Sequence, residues 1–305
     1  NKISTPRPMA KHKPTYRGRI APTPTGFLHL GHGRTFWVAW KRARLREGQI
    51  LYREEDLDPQ RCRPEFARAA REDLRWLGLD WDAGPENSEI GEEYRQSFRH
   101  TGKIYLKAWQ RLKEKGLIYP CSRSRREIAE AAQNCREDAD SPDEEPLFPG
   151  EWRPAPGTGK GAETPGPTNW RFRVPQGSDV SFQDSHLGPT QYRAGEDFGD
   201  FLVWRKDGYP AYELAVVVDD AAMGITEVVR GADLLKSTGR QLLLYEALSL
   251  QAPAFFHCPL VRDDAGRRLA KRSKDMGLRH LRERGVDPAD LRKKFSKECA
   301  DWISD

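Results

Sequence analysis

Pro22-Thr-Pro-Thr-Gly26-Phe-Leu-His29-Leu30-Gly31-His32-Gly-Arg34 follows directly on Arg17-Gly-Arg-Ile-Ala21. The apolar end of the earlier segment, Ile20-Ala21, reads as a short buried strand. Thr35 to Arg46 carries Phe36, Val38, Ala39, Trp40, Ala43 and Leu45 at helical spacing. Between strand and helix, Pro22 and Pro24 restrict the backbone, while Gly26 and Gly31 let it turn and approach a ligand closely. A helix beginning here would present free N–H groups and the positive end of its dipole to phosphate. His29 and His32 are three apart and share one face of a helical turn. Two imidazoles there can donate hydrogen bonds to phosphoryl oxygens as charge builds in a displacement. The stretch suits a nucleoside triphosphate. Taken alone, an H-x-x-H pair reads better as capping or core histidines, and the stretch names no second substrate.

Working outward, Ile50 to Tyr52 reads as a second strand. Pro64 to Leu77 and Tyr94 to Lys115 read as helices, the latter stopped by Gly116. This alternation predicts an α/β fold with a parallel sheet and nucleotide chemistry at its strand ends. Residues 132–168 are rich in Pro, Gly and acids without periodicity, and read as a mobile linker or decorated insertion. Order returns with Asn169 to Val174 and Phe201 to Arg205, both strand-like. Tyr212 to Met223 is strongly apolar, Ile225 to Val229 is β-branched, Ser237 to Leu250 is helical, and Phe255 to Val261 is another buried strand. Met276 to Phe295 reads as short basic helix. No internal repeat is visible.

The chain of 305 residues is long enough for one large domain and a smaller module. No window is apolar enough to span a bilayer. Asn1 to Tyr16 is polar, basic and proline-bearing, unlike a secretory signal. The five cysteines (Cys62, Cys121, Cys135, Cys258, Cys299) are scattered and odd in number, which argues against a disulfide framework. These features predict a soluble cytoplasmic protein. The net charge of +5 is unevenly spread. Lys2, Arg7, Lys11, Lys13, Arg17 and Arg19 occur without an acid among them, residues 266–294 are strongly basic, and residues 137–151 are acidic. The basic ends can track phosphates or simply form solvated surfaces.

A second element bears on the histidines. Asp264-Ala-Gly266-Arg-Arg268-Leu269-Ala270-Lys271-Arg272-Ser273 is a turn and basic loop after a predicted strand. Lys271 on such a loop can close on polyphosphate and neutralise a leaving pyrophosphate. With both elements present, the chain resembles the glutamyl branch of class I aminoacyl-tRNA synthetases. Ala21 to His32 resembles that family's HIGH signature, and Arg268 to Arg272 is similar to its KMSKS signature. The likeness continues through Leu51-Tyr-Arg-Glu-Glu55-Asp56-Leu-Asp58, Ala211-Tyr212-Glu-Leu-Ala-Val-Val-Val-Asp219-Asp220 and Glu227-Val-Val-Arg230-Gly231-Ala-Asp233-Leu-Leu. These motifs cover most of residues 17–275 in the family's order.

The resemblance implies a Rossmann-like catalytic domain, with first half 17–116 and second half 201–275. It also implies an inserted acceptor-binding-like subdomain at 117–200, a basic tail at 1–16 and a short helical segment at 276–305. ATP with Mg²⁺ is the implied nucleotide, contacted by Pro22, His29, Gly31, His32, Leu269 and Lys271. Of these, His29, His32 and Lys271 would be the catalytic set, acting as electrostatic stabilisers rather than bases. Glutamate is the implied amino acid. Arg19 would take its side-chain carboxylate, Ala21 and Thr23 would line its α-amino end, Glu55 would hold the ammonium, and Tyr212 and Arg230 would complete the contacts. An Arg/acid set of this kind is what a ligand with two carboxylates and one ammonium requires.

Only about thirty residues follow the basic loop, too few for an independent anticodon-reading module. The expectation therefore narrows to a shorter branch, the glutamyl-queuosine tRNA(Asp) synthetases, as does the wording of the Ala-Val-Val-Val-Asp-Asp and Arg-Gly-Ala-Asp-Leu-Leu stretches. These esterify glutamate onto the queuosine base of the tRNA(Asp) anticodon loop. A monomer is the expected state. The alternatives are a truncated glutamyl-tRNA synthetase charging an acceptor end, and a non-catalytic nucleotide- or tRNA-binding relative. Two departures from the branch stand out. Ala270 replaces the usual serine of the loop, whereas His32 restores a histidine that the branch often replaces. Of the branch's zinc ligands, Cys-x-Cys and a later Tyr-x3-Cys, only Cys121 is present. Phe148-Pro-Gly-Glu-Trp152 supplies no ligand, and Cys135 is a remote substitute. One thiolate cannot hold a tetrahedral zinc. Metal analysis of the purified chain is expected to find no tightly bound zinc, and about one zinc per chain would refute this.

Overall fold

The computed structural model describes residues 16–86, 91–135, 146–261 and 277–303. The elements are β1 (Arg17–Ile20), α1 (Leu30–Leu45), β2 (Gln49–Tyr52), α2 (Pro64–Trp76), α3 (Gln96–Thr101), α4 (Ile104–Glu114), β3 (Ile118–Cys121) and α5 (Arg125–Cys135). They continue with β4 (Asn169–Phe172), β5 (Asp179–Asp184), β6 (Gly188–Arg193), β7 (Phe201–Trp204), α6 (Tyr212–Ala222), β8 (Glu227–Gly231), α7 (Leu235–Ala247) and β9 (Ala254–Cys258). Three short helices close the chain: α8 (Leu278–Glu283), α9 (Pro288–Glu298) and α10 (Ala300–Ile303).

β1 pairs in parallel with β2, and β9 pairs in parallel with both β8 and β5. The two groups meet where Thr226 N donates to Arg17 O and Arg17 N donates to Thr226 Oγ1, each at 2.9 Å. The strands thus run side by side as β2-β1-β8-β9-β5, with β6 antiparallel at the far edge. Alternate residues of each strand face opposite sides, so both faces need cover. Ile20, Ile50 and Phe256 pack with Trp37 and Val38 of α1, Leu74 of α2 and Phe295 of α9. Leu51, Val228 and Phe255 share the second core with Trp109 of α4, Leu214 and Val217 of α6 and Leu244 of α7. The carboxyl ends of β1, β8 and β9 lie together, which is where open parallel sheets bind ligands.

Several predicted elements differ in detail. α1 starts at Leu30, five residues before the apolar spacing begins, because the His29 side chain caps it. The single helix expected over Tyr94 to Lys115 is broken between α3 and α4, where Lys103 has a left-handed φ of 60°. The basic C-terminal helix is two helices separated by Gly285, at φ 74°. Of the 132–168 segment, 136–145 lie outside the described residues, but 146–168 fold back onto the antiparallel sheet β3-β4-β7. Phe148 is buried against Tyr119, and its ring lies beneath the Arg171 guanidinium at 4.7 Å. Arg153 Nε donates to buried Asp200 at 2.8 Å, and Asp200 also accepts from Tyr119 OH at 2.6 Å and Val174 N at 2.8 Å. Aperiodicity hid this packing, because scattered anchors hold the segment rather than a repeating face: Phe148 with Trp152, the Arg153–Asp200 pair, and side chains donating to the carbonyls of Pro154, Ala162 and Pro165.

One buried contact ties the site-bearing helix to the sheet. Glu227, opening β8, accepts from Arg42 Nε and Nη2 of α1 at 2.8 Å each and from Tyr16 OH at 2.6 Å. Burial opposes the Glu227 charge, but Arg42 and Tyr16 outweigh it and hold the carboxyl below its ordinary 4.5. A depressed carboxylate contributes stability that is present above its unfolded value and lost as pH falls through the folded one. Glu227→Gln is expected to cost about 3 kcal/mol in urea denaturation at neutral pH, because it leaves Arg42 buried and unpaired. The gap from the unsubstituted chain should narrow as pH drops below 4.5.

Candidate active site

A cavity of about 410 Å³ opens at the carboxyl ends of β1, β8 and β9. Its wall includes Arg19, Ala21, Pro22, Thr23, His29, Gly31, His32, Glu55, Tyr212 and Arg230. Ten of the twelve residues singled out from the sequence are therefore together in one place. The other two, Leu269 and Lys271, lie outside the described residues. The segment that carries them is bounded by Val261, which lines the cavity, and by Gly277, which bridges to His29. Leu278 N donates to Leu28 O at 2.9 Å, and the buried Leu278 side chain packs onto Gly33. A Cβ at 33 would meet that leucine at 3.0 Å, so glycine inside α1 serves a close approach. The described residues on either side, Val261 and Gly277, therefore sit beside the cavity and its His29.

The start of α1 is capped by the histidines themselves. His29 Nδ1 accepts from Gly31 N at 3.1 Å and from His32 N at 3.4 Å. His32 Nδ1 accepts in return from His29 N at 3.3 Å, and the two rings stack with centroids 3.6 Å apart. This is a capping box built from two imidazoles. It corrects one expectation: the N–H groups of Gly31 and His32 are engaged rather than free for phosphate. Because each Nδ1 accepts, each neutral ring carries its proton on Nε2. Any proton these rings could offer to an anion is thus on Nε2, not Nδ1. A Cβ at Gly31 would lie 3.1 Å from His29 Nδ1, so any side chain there would disturb the cap.

The opposite wall is a buried charge network. Arg53 is fully buried; its Nη1 donates to Asp220 Oδ1 at 2.7 Å and its Nη2 to Glu55 Oε1 at 2.9 Å. Asp220 also lies 3.4 Å from Arg19 Nε, and Arg19 Nη1 donates to Val229 O at 3.0 Å. Burial raises the Glu55 carboxyl above its ordinary value, although Arg53 and Arg19 pull it down. Burial also disfavours the Arg53 charge, but Asp220, Glu55 and Asp219 hold it well above the usual arginine range. Nearby on β8, Arg230 also lines the cavity, and its Nη1 is buried without a hydrogen-bond partner among the described residues. An orphan guanidinium donor in a pocket calls for an anionic ligand.

Arg53, Asp220, Asp184 and His257 were not picked out as site residues from sequence. Arg53 adjoins Glu55, and Asp219-Asp220 are two acids in an otherwise apolar helix, so a signal existed for those. Asp184 and His257 are 73 positions apart and carried none. Cys121 packs in an apolar cluster with Tyr119, Ile128 and Phe148. Among the described residues, no group of three or more His, Cys, Asp or Glu could hold a metal ion.

Residues 15–297 match the family model described as tRNA synthetases class I (E and Q), catalytic domain. A Glutamyl-Q tRNA(Asp) synthetase of Nitratidesulfovibrio vulgaris is 44% identical over 286 residues, covering 90% of this chain and 83% of the relative. Glutamate--tRNA ligase 1 of Methylococcus capsulatus is 40% identical over 272 residues, covering 88% of this chain but 56% of the relative. Among solved structures, a glutamate tRNA ligase from Elizabethkingia meningosepticum in complex with its amino acid superposes with a TM-score of 0.70 at 30% identity. That match covers 86% of this chain and 53% of the ligase.

The histidine cap separates two roles that substitution can resolve. His29→Ala is expected to lower the unfolding free energy by about 1 kcal/mol through loss of the N-cap. His29→Asn, whose side chain is a good N-cap, should recover that stability in denaturant titrations without restoring the Nε2–H donor.

Proposed function

The chain belongs to the class I tRNA synthetase family (E and Q), and from that premise we propose that its cavity binds ATP and glutamate side by side and joins them. The chain is an ATP-dependent ligase by its family. The observation that carries the substrate assignment is the pairing of two wall chemistries in one cavity. Imidazole donors stand at the start of α1, and Arg19, Arg230, Tyr212 and the Arg53-paired Glu55 stand opposite. Arg19 and Arg230 suit the two carboxylates of glutamate, and Glu55 suits its ammonium.

In the proposed reaction, a carboxylate oxygen of glutamate attacks the α-phosphorus of ATP. An acyl–phosphate bond forms, the bond to the bridging oxygen breaks, and pyrophosphate leaves. Mg²⁺ travels with the polyphosphate as part of the nucleotide substrate. His29 and His32 stabilise charge on the phosphoryl oxygens through Nε2–H, and no proton transfer from them is required. Leu269 and Lys271 complete the nucleotide site, with Lys271 neutralising the leaving pyrophosphate. Pro22 and Gly31 bring the backbone close to the nucleotide.

For the acceptor, we propose the queuosine base of tRNA(Asp). Support comes from the 44% identity to a relative named for that reaction, against 40% for a glutamate--tRNA ligase. That second likeness favours the other reading, charging of a tRNA acceptor end. The chain is further proposed to act in the cytoplasm as a monomer. Its inserted region, 117–200, would meet the tRNA, and residues 201–275 would return to the catalytic domain. Among the described residues, no helix is long and apolar enough to cross a membrane.

Glutamate charging of queuosine-containing tRNA(Asp), with none of queuosine-free tRNA(Asp), is the expected result. Equal charging of both would move the acceptor to the tRNA end. In glutamate-dependent ATP–pyrophosphate exchange, Lys271→Ala and His32→Ala should each lose about a hundredfold. Unchanged exchange in both would overturn the mechanism.

A further inference from the structure

Arg230 reaches the cavity from β8, and its guanidinium is held from behind. Nε donates to His257 Nε2 at 3.2 Å, and Nη2 donates to Thr238 Oγ1 at 2.7 Å. Only Nη1 is buried without a partner among the described residues. His257 is the register partner of Arg230 on β9. Its Nδ1 lies 2.6 Å from Oδ2 of Asp184, the last residue of β5. Asp184, His257 and Thr238 are at most 1% exposed, and none of them lines the cavity.

The protons follow from the partners. An arginine Nε–H can only donate, so His257 Nε2 must present its lone pair. An ionised carboxylate can only accept, so the proton of His257 sits on Nδ1. The ring is therefore neutral, in one tautomer. Protonating Nε2 would set N–H against N–H at 3.2 Å, between two positive charges. Asp184 is itself fixed, since its Oδ1 accepts from the backbone N–H of Leu187 at 2.8 Å, His186 at 2.9 Å and His257 at 3.3 Å. The charged groups facing the ring are Asp184 from β5, Arg230 from β8 and Arg19 from β1. Burial lowers the His257 pKa, outweighing the hydrogen bond to Asp184.

We propose that Asp184 and His257 form a positioning couple that, with Thr238, aims Nη1 of Arg230 at the carboxylate of the bound amino acid. The inference rests on the amino-acid reading of the cavity. Glu213 and Glu55 lie within electrostatic reach of this wall and would compete for an unrestrained guanidinium. With Nε and Nη2 occupied, the plane of Arg230 is set and a single edge faces the ligand. The couple touches neither substrate. Its effect is on affinity for the amino acid, because an ordered arginine loses less freedom on binding.

Steady-state exchange kinetics on the full chain separate this role from a merely structural one. His257→Phe keeps a ring but removes the acceptor, and should raise KM for glutamate about tenfold or more. KM for ATP and kcat should stay within about twofold. His257→Gln offers an amide oxygen near the Nε2 position and should recover most of the loss. Should His257→Phe fail to fold, Thr238→Val removes the Nη2 contact and reads the same split. Equal changes in both KM values, or none, would overturn the couple. Nitrogen NMR of histidine-labelled, ligand-free protein is an independent check. Protonated Nδ1 with bare Nε2 near neutral pH is expected for His257, and the opposite tautomer or an imidazolium would overturn it. If the unsubstituted chain shows no glutamate-dependent exchange, the amino-acid reading fails, and the tautomer still decides whether the couple exists.

Discussion

Arg53 is the constraint on which the site depends. Its guanidinium is wholly enclosed, and a charge in that position survives only with partners around it. Asp220 and Glu55 supply them, and each has a second task. Asp220 also faces Arg19, and Glu55 lines the cavity. One buried cation thus fixes an acid on α6, an acid beyond β2 and, through the first, an arginine on β1. The wall is set before any ligand arrives, which is what electrostatic recognition of a small zwitterionic ligand requires. The cost falls on Arg53 itself: removing it would leave Glu55 without the cation that donates to it, while Asp220 would keep Arg19.

The other wall is organised by backbone needs rather than by charge. A helix start leaves N–H groups unpaired, and His29 and His32 satisfy three of them reciprocally. The same contacts decide which imidazole nitrogen holds the proton, so structural capping and the proposed chemistry are two consequences of one arrangement. Gly31 leaves room for the His29 ring, and Gly33 leaves room for Leu278. Beyond Leu278, Arg279 Nη2 donates to Glu72 at 2.6 Å, with its Nε 3.6 Å from buried Asp73. Burial raises the Asp73 carboxyl even though Arg279 and Arg282 oppose it. The return of the chain from the basic loop is therefore clamped between α1 and α2.

Much of this was legible in the linear chain where one local signal sufficed. The buried strands around Ile20, Ile50, Val228 and Phe256 show as short apolar runs, and α2 begins at Pro64 as its proline suggests. Legibility failed where geometry depends on one residue or on distant partners. The break falls at Gly102-Lys103 inside a continuous apolar period; Gly102, which caps α3, was the available signal, and the period on either side masked it. The β5–β6 hairpin is half-exposed and polar, so its alternation is weak. Phe148 and Asp200 anchor a stretch whose acids and glycines suggest no packing at all.

Fold class, motif order and ten of the residues that meet in the cavity could be read along the linear chain, because motif residues lie within a few positions of the strand ends that carry them. What those residues do to one another depends on the folded arrangement. The histidines cap each other, Arg53 binds Glu55 to Asp220, and Asp184 reaches Arg230 through His257 across three neighbouring strands. Parallel pairing of β5, β9 and β8 brings together side chains far apart in the chain. A proton's position depends on such partners, and no residue's own neighbours in sequence can specify it.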